Sequence, residues 1–362
     1  MKVGNRESEV GSFSIKKWLV KILIVWFFTL NTACQKERTV QPAFYHWQTN
    51  LELSQTEQAY LDSLAVQKLY AKFFDVEWDA AREMPVPLAE VEIGEIAQLD
   101  IVPCIFITNR TFQNLSDEKI PWLAERVDEK LRELWQQLPG QALREVQFDC
   151  DWTASTRDRF FQFLENFKAK NADIQLSATI RLHQLRDHEQ TGVPPVDKGM
   201  LMFYNTGDLE SWQEENSILN MEIAKSYLQS DFRRPDISYQ IPLDLALPIF
   251  AWGVLFRDGR MIRLINDLRP EQLTDTTRFQ KLADNRFEVT KSTYLDGYYL
   301  YKDDHIRTEA IDPALLLQAT DILKNKLKND NLTVAFYHLD TTTIKYFPYE
   351  VLESVCEKFS SQ

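Results

Sequence analysis

The chain has 362 residues, with 41 basic and 54 acidic side chains and a formal charge of −13. Residues 1–33 carry five of the basic residues (Lys2, Arg6, Lys16, Lys17, Lys21) and two of the acidic ones (Glu7, Glu9), so the remainder stands at −16. This balance excludes a nucleic-acid binder and a polybasic membrane surface, both of which gather positive charge; an apolar share of 44% excludes a disordered chain, and four cysteines exclude a disulfide scaffold.

Residues 1–21 are polar and basic, and residues 22–30 (ILIVWFFTL) are apolar apart from one Thr. The run is about half the ~20 residues that a spanning helix needs. Asn31-Thr32-Ala33-Cys34 follows. A basic stretch, a short apolar stretch and small residues make the pattern of a secretory signal. A Cys directly after the small residues resembles the bacterial lipoprotein signal. That resemblance implies acylation of Cys34 as the first mature residue, with 1–33 removed and 34–42 a polar tether. The family usually places Leu three residues before the Cys; here Asn31 stands there and Leu30 is one place further out. An uncleaved anchor and an ordinary cleaved signal are the alternatives. The expectation is a chain held at the cell envelope, at the outer membrane, through its N-terminal lipid alone.

Strand and helix periods then alternate. Residues 43–48 (AFYHWQ) read as a first strand. Residues 54–66 open with Ser54 and Glu57, the spacing of a capping box, and read as a helix. Residues 68–76 are a second strand, 86–99 are ambiguous, and 101–108 (IVPCIFIT) are a buried third strand. Residues 117–138 form a long amphipathic helix stopped by Pro139-Gly140. The fourth strand is 145–152 (EVQFDCDW), followed by a helix over 155–170 with Phe160, Phe163 and Phe167 on one face. Strands at 174–181 and 199–206 come next, with no clear helix in 183–198. A helix is expected over 216–229. The seventh strand is read at 247–256, turned back by Asp258-Gly259 into a hairpin strand at 261–265. Residues 257–310 are a large insertion rich in tyrosine. A helix at 311–328, an eighth strand at 332–339 and a helix at 349–359 close the chain.

Eight strands mostly separated by helices predict parallel pairing with right-handed crossovers. The expected fold is α/β, a (β/α)8 TIM-like barrel over 43–362 with an insertion after strand 7. An open doubly wound sheet is the alternative. It is disfavoured because no glycine-rich turn follows any strand and the chain holds only 10 Gly.

In such a barrel ligands meet the C-terminal strand ends. On the fourth strand Gln147, Asp149 and Asp151 share one face. Carboxylates two residues apart on one strand face are ~7 Å apart, close enough to shift one another's pKa values. Asp149 and Asp151 are therefore the candidate catalytic pair, with solvated rim charges or salt-bridge partners of Arg181 as the alternative. Arg181 on the fifth strand is their natural partner, and His183 continues the same alternation. His46, Asp75, Tyr204, Asn205, Trp252, Tyr337 and His338 complete the candidate binding residues at the other strand ends. Aromatic platforms beside carboxylates and amides suit sugar rings, whose C–H faces stack and whose hydroxyls need partners; the same aromatics can simply fill the rim. Carbohydrate is the expected ligand. No HExxH, CxxC, GxSxG or P-loop occurs and the histidines are scattered, so neither metal nor cofactor is expected. Cys104 and Cys150 read as free thiols facing the outer helices.

The stretches EVQFDCDW, TRDRFFQFL, LSATIRLHQ, PPVDKGMLMFYNTGD and PLDLALPIFAWGVLF resemble an uncharacterised family of bacterial envelope proteins predicted to be TIM barrels, over most of 43–340. That resemblance implies the fold and no particular activity. A more distant likeness is to the family 18 glycoside hydrolases, the chitinases, whose fourth strand carries alternating aspartates, then Trp and a catalytic Glu. Asp149-Cys150-Asp151-Trp152 is similar to that run, but Thr153 stands in place of the Glu and Val146 in place of an earlier Asp. A threonine does not give up a proton at neutral pH. Either another carboxylate serves as the acid, or the barrel binds glycans without cutting them.

Overall fold

The computed structural model describes residues 38–96, 99–138, 140–228, 237, 239–327 and 329–361, with Met1 and Gly4. Cys34 and, those two residues aside, the export signal read at 1–33 lie outside the described residues.

Eight parallel strands form the ring: β1 (Thr39–His46), β2 (Lys68–Asp79), β3 (Asp100–Ile107), β4 (Glu145–Asp149), β5 (Gln175–Arg181), β6 (Lys198–Met202), β7 (Leu243–Pro248) and β8 (Asn331–Tyr337). Each pairs with its neighbour in sequence. The pairing of β1 with β8, Ala43 opposite Ala335, closes the circle. The expected (β/α)8 barrel is the fold.

Local signals account for several elements. Ser54 and Glu57 make the expected capping box: Ser54 N–H donates to Glu57 Oε2 at 2.9 Å and Glu57 N–H donates to Ser54 Oγ at 3.2 Å. Outward residues of β4 meet the following helix (Arg157–Lys170), with Phe148 edge-on to Phe163 and Phe167 at 5.1 and 4.9 Å between ring centres. The ambiguous 86–99 begins inside a short strand, Met84–Leu88, antiparallel to the far half of β2, and holds a two-residue strand at Glu92–Ile93. Two short helices, Leu182–Arg186 and His188–Thr191, occupy the stretch where no clear helix was expected. Among the described residues no helix is long and apolar enough to cross a membrane.

Three expectations are corrected. First, Thr39 to Pro42, read as tether, already pair with Asn331 to Val334 in β8. Their partner is almost the whole chain away, so no local pattern marks them. Second, the seventh strand is not 247–256. The apolar run LDLALPIFAWGVLF splits at Pro248, which has no N–H to extend the ladder. Leu243–Pro248 belongs to the ring, and Ala251–Arg257 opens the insertion. Third, Cys104 faces inward, its thiol 3.6 Å from Gln147 Oε1. In an all-apolar strand nothing polar marks which face is which.

The insertion is a five-stranded antiparallel sheet in the order Arg260–Asn266, Ala251–Arg257, His305–Ala310, Arg286–Val289, Phe279–Ala283. Its first turn is Asp258-Gly259, both in the left-handed region (φ 50° and 73°), as a two-residue hairpin demands. It carries its own small core around Leu255, Phe279, Phe287 and Ile306.

The base of the barrel is plugged by charge. Glu145 Oε2 lies 3.1 Å from both Lys68 Nζ and Lys198 Nζ, and Lys198 also reaches Asp244 at 2.9 Å. Ser177 donates to the other Glu145 oxygen at 2.8 Å. Burial alone would push the Glu145 carboxyl up, but Lys198, Lys68 and Ser177 together hold it below the usual range. Its ionisation therefore stabilises the fold above pH ~4.3, and that stabilisation is lost as pH falls through the depressed value. Glu145→Gln should cost about 3 kcal/mol at pH 7, because the buried Lys68 ammonium loses its anion and Lys198 keeps only Asp244. Urea unfolding from pH 7 to pH 3 should show the variant's stability falling less than the wild type's; parallel curves would refute the plug's role.

Candidate functional site

At the C-terminal mouth of the ring lies a cavity of about 510 Å³. Of the expected site residues, Asp149, Asp151, Arg181, Tyr204, Asn205, Trp252, Tyr337 and His338 all line it. His46, Asp75 and His183 do not.

Asp149 ends β4 and points inward. Arg181, at the end of the adjacent β5, bridges the acidic pair: its Nη2 donates to Asp149 Oδ1 at 3.0 Å and its Nε to Asp151 Oδ1 at 2.6 Å. Thr179, two residues before Arg181 and so on the same face, donates to Asp149 as well. The two carboxylates differ sharply in exposure, 7% for the Asp149 side chain against 54% for Asp151. Burial pushes the Asp149 carboxyl up, Arg181 pulls it down and Asp151 adds to the rise. Burial works to lower the Arg181 pKa, but Asp149 and Asp151 outweigh it and the guanidinium is held charged.

Aromatic rings form the opposite side. Tyr337 at the end of β8 meets Tyr204 (5.4 Å between centres), Phe250 (5.7 Å) and Trp47 (6.0 Å). Trp252 lies against Phe250 at 5.2 Å, and its indole N–H donates to Glu309 Oε2 at 2.8 Å. Asn205 is held in the left-handed region (φ 56°), its N–H donating to Ile218 O at 2.6 Å. The peptide bond between Tyr337 and His338 is cis, and His338 Nδ1 is buried with no hydrogen-bond partner among the described residues.

The three expected residues outside the cavity are displaced for simple reasons. Tyr45 points inward, its hydroxyl 2.5 Å from Gln147, so by alternation His46 points outward, and it is 1% exposed. Asp75 is tied to Lys72 at 2.7 Å and is separated from Asp149 by Phe106 of β3, which stands between them in register, though its charge still raises the Asp149 pKa. His183 is exposed, because β5 stops at Arg181, whose N–H donates to Gln184 Oε1 at 2.8 Å and starts a helix at Leu182. The strand alternation that placed His183 inward ends two residues before it.

The cavity also holds residues not foreseen, chiefly Asn266 and Asp267. They end the return strand of the insertion hairpin, where Trp252 stands opposite Asn266. Counting back from the Asp258-Gly259 turn misses them by one residue, because a bulge at Leu255–Phe256 shifts the register. Asp267 accepts a 3.4 Å hydrogen bond from Thr343. Burial pushes its carboxyl up, with His338 opposing and Asp340 adding to it. Thr153, at the position of the chitinase acid, is engaged with Ser155 Oγ at 2.9 Å and Thr156 Oγ1 at 3.0 Å through its side chain and N–H.

Fold and site together define a (β/α)8 barrel with an insertion after β7 and a polar and aromatic cleft at its mouth. Among solved structures the chain is similar to the spore cortex-lytic enzyme SleL of Bacillus cereus, at 13% identity and a TM-score of 0.50, covering 90% of this chain and 75% of that one. It is similar to SleL of Bacillus megaterium QM B1551 at 14% identity and a TM-score of 0.51, covering 89% and 74%. A chitinase from Bacteroides thetaiotaomicron matches at 11% identity and a TM-score of 0.50, covering 90% and 98%. No family model and no curated protein matches the chain. At these identities the likeness establishes the barrel.

Replacing Arg181 by Met would strand the buried Asp149 carboxylate without its cation. A carboxyl whose folded pKa is raised loses stability as pH climbs through that value. Arg181→Met should therefore be about 3 kcal/mol less stable than wild type at pH 8 and recover much of that at pH 5. Chemical unfolding at the two pH values measures it, and an equal loss at both would contradict an ionic role for the pair.

Proposed function

We propose that the chain is an exported, lipid-anchored barrel whose mouth binds a glycan at the cell envelope. One observation carries the reading. An aromatic floor and the Asp149–Arg181–Asp151 triad face the same cavity. Its volume, about 510 Å³, is that of an ordinary ligand pocket. Rings offer stacking faces to sugar C–H groups, and the fixed carboxylates accept from hydroxyls. The barrels it is similar to are named as a chitinase and as cortex-lytic enzymes, which agrees with a glycan ligand.

Binding without cleavage is the reading the fourth strand favours. Cleavage needs a proton donor for the leaving oxygen. Thr153 is no such donor, and both Asp149 and Asp151 are tied to one guanidinium. Asp267 supports a second reading, as a half-buried carboxyl in the same cavity with its pKa pushed up by burial. There it would protonate the glycosidic oxygen as the C1–O bond breaks, while Asp151 takes a proton from the water that bonds to C1.

Calorimetry and product analysis on chitin and peptidoglycan oligosaccharides, with the full chain in detergent, separate these readings. The binding reading expects saturable binding without new reducing ends, weakened about 10-fold or more in Trp252→Ala by loss of a stacking face. New reducing ends that disappear in Asp267→Asn, with binding kept, would replace it by the hydrolytic reading. No binding across the panel would end both. For the anchor, Cys34→Ser should move the protein from the membrane to the soluble fraction, and unchanged retention would contradict lipidation.

A further inference from the structure

Trp252 and Asn205 reach the cavity from different parts of the chain, the insertion sheet and the loop after β6. A single buried carboxylate connects them. In the insertion sheet Glu309 stands directly opposite Trp252 across an antiparallel pair, so their side chains share a face. Glu309 Oε2 accepts from the Trp252 indole N–H at 2.8 Å, from Ser217 N–H at 2.8 Å and from Ser217 Oγ at 2.5 Å. Its other oxygen accepts from Arg307 Nε at 2.5 Å. Neither side chain of this ion pair has any solvent exposure. Arg307 in turn donates to the Ser211 carbonyl of the same loop.

Ser217 leads straight to the other wall. The next residue, Ile218, accepts the Asn205 N–H at 2.6 Å, and Gly207 N–H donates to Ser217 O at 3.2 Å. The two sides of the loop are pressed together: a Cβ on Gly207 would come within 2.7 Å of Ser217 Cα. A buried ion pair is poor value as a source of stability, since apolar residues of similar volume often fold as well. What this one supplies is fixed geometry between two cavity walls.

We propose that Glu309 is the positioning residue of the cleft. It sets the Trp252 ring and, through Ser217 and Ile218, the Asn205 backbone, so that both address one bound ligand; it makes no ligand contact itself. The inference rests on the glycan-binding reading for its ligand and on hydrogen-bond geometry for its linkage.

The experiment compares the full chain with Glu309→Gln and Ser217→Ala. Exchange is followed at the Trp252 indole N–H, assigned by its absence in Trp252→Phe, and at the Asn205 amide. Affinity for the best oligosaccharide of the panel is measured where each variant is folded by near-ultraviolet circular dichroism. In Glu309→Gln both protons should exchange at least 10-fold faster, and affinity should fall about 10-fold. Ser217→Ala keeps the ion pair and should fold even if Glu309→Gln does not; it should speed Asn205 exchange and weaken binding about 3-fold. Faster exchange at Trp252 with an unchanged Asn205 amide would overturn the linkage. Unchanged affinity in a loosened variant would overturn the positioning role. A wild type that binds no sugar fails the glycan reading, and the exchange data then decide the linkage by themselves.

Discussion

A closed ring of parallel strands turns every second side chain toward an interior with no solvent to satisfy it. In this protein that constraint orders everything above the base. The lowest inward layer is ionic, with Glu145 shared between Lys68 and Lys198. Above it the Tyr45 hydroxyl meets Gln147, and Tyr45 stacks on Tyr70 at 5.0 Å. The top layer repeats the ionic solution, with Arg181 between Asp149 and Asp151. Buried charge must be paired, and the two ionic layers pair it between strands: Glu145 of β4 reaches across to Lys68 of β2 and Lys198 of β6, and Asp149 of β4 meets Arg181 of β5. The mouth cavity is where this stacking of layers meets water, so its charges arrive already partnered.

That partnering shapes the chemistry available. A catalytic pair needs two carboxyls in different protonation states. The Arg181 guanidinium favours the ionised form of Asp149 and burial works against it, while the same cation also donates to Asp151 at 2.6 Å. Burial prevails and the Asp149 carboxyl stands above its usual range, while hydrogen bonds from Thr179 and Arg181 fix its orientation as an acceptor. An acceptor fixed beside an aromatic floor serves recognition of hydroxyl groups well. Proton delivery requires a group less fully engaged, and in this cavity Asp267 comes closest to that description.

How far the sequence could be read depends on whether a feature is local. Short apolar or alternating runs, mostly separated by helices, revealed seven of the ring strands, and the capping box at Ser54 and Glu57 needed only four residues. Asp149, Arg181, Tyr204 and Tyr337 were legible because strand ends in a barrel converge by rule. Failures came where a decision is made at long range. The run around Pro248 is apolar on both sides of the break, and hydrophobicity alone does not say that the chain leaves the ring there. Cys104 is flanked by Pro103 and Ile105, so no polar alternation betrays its inward face. His183 followed the right period for two residues too many. Asp267 and Glu309 were invisible because both depend on the register of a sheet that forms from the insertion itself.

The insertion matters for this reason. The ring alone can offer Asp149, Arg181, Tyr204 and Tyr337, which line a shallow mouth. Trp252, Asn266 and Asp267 arrive on the insertion hairpin and give the mouth a wall. A wall on a separate sheet, with its own core around Phe279, Phe287 and Ile306, is free to tilt unless something ties it to the ring. Glu309 and Arg307 bind it to the loop that follows β6, through Ser217 and Ser211. Asn216 adds a bond to the Ala310 carbonyl at 2.9 Å, and Asn285 reaches the Glu215 carbonyl at 3.1 Å. All these contacts fall on one stretch of loop, so the depth of the cleft is set by how firmly that stretch grips the insertion. On the proposed reading, affinity for a glycan held between ring and wall is a property of this buried joint as much as of the residues the glycan touches.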